Sequence, residues 1–191
     1  MNLRRNLLVV CFAVASAVST AGSAGAQTAS ASVADQLDQA FDTLATSDSE
    51  RVAKSAERRI LRLWMETESD TVDLLMSWAL EAMEDEDFAL ALDFLDRIVV
   101  MMPDYVEGWN KRATVHFLLD DYERALADIE QVLLREPRHF GAMSGLGIIF
   151  RDIGETDRAI EVFRTALELD PYLENVREAL DKIESERESE L

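Results

Sequence analysis

Few side chains in this chain are of types that could carry out a reaction: two histidines, His116 and His139, one cysteine, Cys11, and several runs of carboxylates. Paired carboxylates would serve general acid–base catalysis, histidine with cysteine or carboxylate would hold zinc, and a thiolate would act as a nucleophile. The spacing favours none of these. The two histidines fall in non-equivalent parts of the repeat described below, and no cysteine accompanies them. Glu84-Asp85-Glu86-Asp87 and Asp120-Asp121 stand where one helix should hand over to the next. The stretch from Asp152 to Asp157 contains Gly154, but its carboxylates lack the ligand spacing of a calcium loop. There is no glycine-rich phosphate loop and no G-x-S-x-G elbow. These observations predict a protein that is not an enzyme, with no cofactor and no metal.

The elements that must position these groups announce themselves by repetition. Pro103, Pro137 and Pro171 lie 34 residues apart, and Ala91, Ala125 and Ala159 keep the same step. So do Ala79, Ala113 and Gly147, and so do Leu95, Ile129 and Phe163. A fixed period of this length marks stacked helix–turn–helix units, none of which can bury its apolar face alone. Three units are predicted at 70–103, 104–137 and 138–171, each ended by a proline that cannot continue a helix. Before them, 33–69 reads as a degenerate helix pair. Leu37, Phe41 and Leu44 form one stripe, Ser49 is the expected N-cap of a helix from Glu50 to Met65, and Trp64 falls at its edge. After them, 172–191 reads as a capping helix and acidic tail, with Leu173, Val176, Leu180 and Ile183 on its apolar side. No strand pattern competes.

The first 26 residues have a different character. Arg4 and Arg5 precede an apolar run from Leu7 to Val18, and small residues lead to Ala24-Gly25-Ala26. That pattern predicts a secretory signal cleaved after Ala26, too short to anchor in a bilayer, and places the mature protein in the bacterial periplasm. Residues 27–32 are expected to form a disordered leader. Cys11 would leave with the signal, so no thiol or disulfide would remain. The chain carries 19 basic against 38 acidic residues, and losing Arg4 and Arg5 moves its net charge from −19 to −21. Such a surface repels phosphate backbones and anionic headgroups, which disfavours nucleic acid and membrane partners.

The repeating residues resemble the tetratricopeptide repeat family. The third unit carries the pattern throughout, in Met143, Leu146-Gly147, Phe150, Ala159, Phe163, Ala166 and Pro171. The second gives Trp109, Arg112-Ala113, His116, Ala125, Ile129, Val132 and Pro137, and the first Leu75, Trp78-Ala79, Ala82, Ala91, Leu95, Ile98 and Pro103. Arg112 stands where the family has leucine, and Ala82 where it has an aromatic. His116 stands in that same aromatic slot and is read as a packing residue, whereas His139 is expected at an exposed boundary. The resemblance implies an all-α solenoid, a superhelix of antiparallel helix pairs.

It also implies that the first helix of each pair lines a concave groove for an extended peptide or helix. Carried onto this chain, the groove positions include Met76, Leu80, Met83, Asn110, Lys111, Thr114, Phe117, Ser144, Ile148 and Arg151. Some family members clamp the carboxylate tail of a chaperone there. Here the corresponding positions are mostly Met76, Leu80, Gly141 and Gly145, so that clamp is missing. The implied function is a protein-interaction adaptor with a protein or peptide partner. Self-assembly through the N-terminal pair and Trp64, giving a homo-oligomer, is the second expectation; a small-ligand carrier or hydrolase is a remote third.

Overall fold

A computed structural model describes residues 32–189 of the chain. The expected signal, with Arg4, Arg5 and Cys11, lies outside the described residues, as do positions 27–31 and the end of the acidic tail. Ser32, expected in the leader, instead caps the first helix. Its hydroxyl accepts from the Asp35 N–H at 3.1 Å, and the Asp35 carboxylate accepts from the Ser32 N–H at 3.1 Å, a reciprocal capping box.

The described residues form nine helices: α1 Val33–Thr46, α2 Glu50–Met65, α3 Asp70–Glu84, α4 Phe88–Met101, α5 Val106–Leu118, α6 Tyr122–Arg135, α7 Phe140–Asp152, α8 Thr156–Leu169 and α9 Glu174–Ser189. They contain no strand, and none of their helices is long and apolar enough to cross a membrane. The helices α3 to α8 pair as α3–α4, α5–α6 and α7–α8, an all-α solenoid of antiparallel helix pairs.

Two kinds of turn repeat at the 34-residue step. Within each pair, the chain reverses through a residue of left-handed backbone: Glu86 at φ 57°, Asp120 at 58° and Gly154 at 83°. The next N–H then reaches back across the turn, from Asp87 to the Ala82 carbonyl, from Asp121 to His116 and from Glu155 to Phe150, at 2.7–2.9 Å. Asp87 and Asp121 also cap α4 and α6 by accepting from Leu90 and Arg124 N–H groups. The carboxylates at these turns therefore end and begin helices. Between pairs, the residue before each proline is held out of the helical region: Met102, Glu136 and Asp170 have φ between −130° and −136°. Ser49 takes the expected N-cap position of α2, yet its side chain makes no capping bond.

Packing follows the small residues. Ala79, Ala91, Ala113, Ala125 and Ala159 are buried where paired helices cross. At Gly147 a β-carbon would sit 2.3 Å from the Phe163 ring, so glycine is required for α7 to seat on α8. Leu95, Ile129 and Phe163 are buried between successive pairs. Truncating any of the three would cost about 2–5 kcal/mol. Beyond the last pair, Val176, Leu180 and Ile183 of α9 close the cluster around Phe150 and Phe163.

The first helix pair, read from the sequence as degenerate, does not stack as a further repeat. Rather than lying flat on α3–α4, α1–α2 runs across the three proline turns. At the first turn, the Tyr105 hydroxyl donates to the Met65 carbonyl at 3.1 Å. At the second, Trp64 stacks on His139 with ring centres 4.0 Å apart and planes 11° apart, and Arg138 pairs with Asp38 at 2.8 Å. At the third, Lys54 reaches Glu174 at 3.2 Å. Phe41, Leu44, Ile60 and Trp64 share a core with Phe140 from α7 and with Leu169, Tyr172 and Leu173. Two expectations are corrected here: Trp64 is buried in its own chain rather than at an edge for a second copy, and His139 is 1% exposed.

Candidate functional site

The face presented by α3, α5 and α7 divides into two zones. Near the start of α5 and α7, polar side chains are turned inward and bonded to one another. Glu107 is buried and accepts from His139 Nε2 at 3.0 Å and from Asn110 at 3.0 Å, with Lys111 Nζ at 3.5 Å. The other ring nitrogen of His139, Nδ1, accepts the Ala142 N–H at 3.0 Å and so caps α7. Since Nδ1 is an acceptor, the ring proton resides on Nε2 and is donated to Glu107. Burial pushes the Glu107 carboxyl up, but the His139 hydrogen bond, the charge of Lys111 and the Asn110 hydrogen bond bring it down to about 2. Burial, helped by the Glu107 charge, raises the neighbouring Tyr105 phenol.

Several residues expected along the groove belong to this interior. Met76 is buried in the first core cluster with Leu75, Ala79 and Tyr105, because α3 turns it onto its own repeat. Ser144 is buried with its hydroxyl donating to the Phe140 carbonyl at 2.7 Å. Asn110 and Lys111 are half-buried and serve Glu107. Leu80, Met83 and Ile148 are half-buried, packed on the cores of their own repeats while keeping one side open.

The later turns of these helices form the second zone. Thr114 and Leu118 are exposed, Phe117 is half-buried and stacked on Tyr122 at 5.9 Å, and Arg151 is exposed and paired with Asp152 at 2.8 Å. At the α3 end, a 500 Å³ hollow lies between Met65, Leu80 and Met76, rimmed by Asp73, Ser77, Glu81 and Glu84. The open surface is thus a discontinuous apolar strip with charge at both ends.

A further polar group was legible in part. Arg112, the misfit at a leucine slot, grips Asp128 through two nitrogens at 2.7 and 2.8 Å and Asp96 of α4 at 2.8 Å. Asp128 itself occupies a slot that is Phe94 in the first unit and Val162 in the third. Two charges of opposite sign in apolar slots, on the two helices of one unit, are the signal that announces the pair. His116 is buried beside it, with Nε2 3.9 Å from Asp128. The guanidinium also lies 4.9 Å over the Trp109 ring. Among the described residues, no cluster of three or more histidine, cysteine or acidic side chains is arranged to hold a metal ion.

Paired antiparallel helices with small residues at their crossings, reversed by proline turns, define a helical-repeat scaffold of the type used in protein–protein interaction. The profile described as "Tetratricopeptide repeat" matches residues 110–174. A TPR repeat-containing protein of Rhizobium etli is 37% identical over 155 residues, covering 81% of this chain and 76% of that protein. The chain therefore belongs to the tetratricopeptide repeat family. Among solved structures, the first TPR of Spaghetti (RPAP3), bound to the HSP90 peptide SRMEEVD, superposes with a TM-score of 0.59 at 18% identity. It covers 62% of this chain and 94% of that one. The TPR2B domain of yeast Sti1, in complex with pHsp70, gives 0.56 at 17% identity and covers 64% and 100%. At these identities the likeness is one of fold.

Proposed function

We propose that this protein is a non-enzymatic adaptor of the bacterial cell envelope, holding an apolar segment of another protein along α3, α5 and α7. The single observation that carries the reading is the second zone. Thr114, Phe117, Leu118 and Ile148 keep accessible surface on consecutive first helices, while the polar residues nearby are bonded among themselves. Structural neighbours of the same fold hold peptides, which supports this use of the face. The segment differs in chemistry from an acidic chaperone tail. No basic clamp stands at Met76, Leu80, Gly141 or Gly145, and the surrounding surface is acidic, so an apolar or basic segment is favoured. The envelope location rests on the apolar run after Arg4-Arg5 and the Ala24-Gly25-Ala26 pattern.

Two experiments test this reading. Cell fractionation with N-terminal sequencing should recover a periplasmic chain beginning at Gln27; a cytoplasmic chain that keeps Met1 removes the envelope assignment. In-cell crosslinking should identify a protein whose capture is lost with Phe117→Asp and reduced with Leu118→Asp. Capture that persists unchanged through both substitutions would exclude the groove.

A further inference from the structure

The two ends of the repeat stack are finished differently. At the far end α9 covers α7–α8. At the near end the outer face of α3–α4 is left uncovered by any described element, because α1–α2 crosses the proline turns instead. The 34-residue step shows what this face is built to meet. Leu74 corresponds to Gly108 and Ala142, and Trp78 to Arg112 and Leu146. In both later repeats these positions are covered by the second helix of the preceding pair. A β-carbon at Gly108 would meet Ile98 of α4 at 2.7 Å, and Arg112 bonds Asp96 of α4. Ala142 and Leu146 pack with Ile129 and Val132 of α6. In the first repeat the same two positions are apolar and bare, with Leu74 49% exposed and Trp78 43%; Leu90 of α4, near Trp78, is also 43% exposed. Trp78 and Phe94 lie with ring centres 5.6 Å apart along a hollow of about 630 Å³.

We infer that the outer face of α3–α4 docks a basic amphipathic helix of another protein, in the place a preceding repeat's second helix would take. The helical form follows from the repeat equivalence. The apolar stripe of the partner follows from Trp78, Leu90 and Phe94. Its basic flank follows from Glu81, Asp85 and Asp87, the only charged residues lining the hollow. A second copy of this chain is the wrong electrostatic match, since the net charge of −19 would set acid against acid. This face meets the α3 end of the α3–α5–α7 strip at Glu81, but Trp78, Leu90 and Phe94 belong to it and Phe117 to the strip, so substitutions at those residues tell the two assignments apart.

The probe is a labelled synthetic helix with leucine at i, i+3, i+4 and i+7 and lysine along both flanks, titrated into the full chain by fluorescence anisotropy at about 0.15 M salt. Saturable binding is expected, weakened about tenfold or more by Trp78→Ser, the loss of an aromatic anchor. Phe117→Asp, on the other face, should leave it unchanged. Glu81→Lys with Asp85→Lys should weaken the lysine peptide and admit a glutamate-flanked one, and this exposed pair keeps the test alive should Trp78→Ser disturb folding. A scrambled peptide of the same composition that binds equally well would overturn the inference, by reducing it to charge attraction. Equal binding to Trp78→Ser would do the same. So would a concentration-dependent dimer abolished by Trp78→Ser, which would give the face to a second copy.

Discussion

The second and third repeats share one backbone register and fill it with opposite chemistry. Glu107, Arg112, His116 and Asp128 in the second correspond to Gly141, Leu146, Phe150 and Val162 in the third. All of these except the exposed Gly141 are buried or half-buried, and both sets seat their repeat on its neighbours. The third does so with ordinary apolar packing. The second does so by satisfying charge, with Arg112 spanning Asp96 and Asp128 and Glu107 held by His139. The repeat register therefore dictates where helices cross but leaves the currency of the contact free. A buried ion pair needs both partners, whereas a leucine needs only volume.

The largest effect expected from breaking this contrast is Asp128→Ala. It leaves the Arg112 guanidinium without its bidentate partner and should lower unfolding free energy by about 3–5 kcal/mol in urea titrations. Val162→Ala, at the same place in the third repeat, removes only two methyl groups and should cost visibly less. Next comes acid. The folded Glu107 carboxyl, at about 2, lies below its ordinary value of 4.5. Its contribution is therefore complete above about pH 4.5 and is lost as pH falls toward 2, on the order of 3 kcal/mol. Thermal melts of Glu107→Gln between pH 7 and pH 2.5 should show a flatter acid limb than those of the parent chain.

The contrast can also be sharpened by converting one repeat into the other. Arg112→Leu, His116→Phe and Asp128→Val together give the second repeat the third's packing, and should be neutral or raise stability by about 1–4 kcal/mol. A large loss would show that the ionic seam is needed for more than cohesion. The smallest effect concerns the turns. Asp120 holds a left-handed backbone that Gly154 adopts without strain, so Asp120→Gly should gain up to about 1 kcal/mol. Gly154→Ala should lose a similar amount, readable as opposite shifts in melting temperature.

The repeats were legible because their determinants are local and periodic. A proline, a small residue at a crossing and an apolar filler each act within one unit and recur at the next. The Arg112–Asp128 seam was legible only as two misfits, whose meaning depends on reading them together across a turn. The placement of α1–α2 was hidden, because it rests on single encounters outside the period, such as Trp64 on His139 and Tyr105 on the Met65 carbonyl. His139 in particular lies at a position that is Tyr105 in one unit and Leu173 in another, so no pattern foretold its burial. Of the groove positions, Met76 and Ser144 were misplaced for a related reason: helical phase alone does not say which neighbour a side chain finally meets.

Stacked repeats ordinarily fold by zipping, since every contact is made with a sequence neighbour. The bond from Lys54 to Glu174 closes a loop of 120 residues, and the Tyr172 hydroxyl returns to Ser47 across 125. Such closures raise contact order and arrive after the local pairs have formed. Assembly should accordingly have a late, slower phase, in which the leading hairpin settles last and locks pairs that would otherwise fray one at a time.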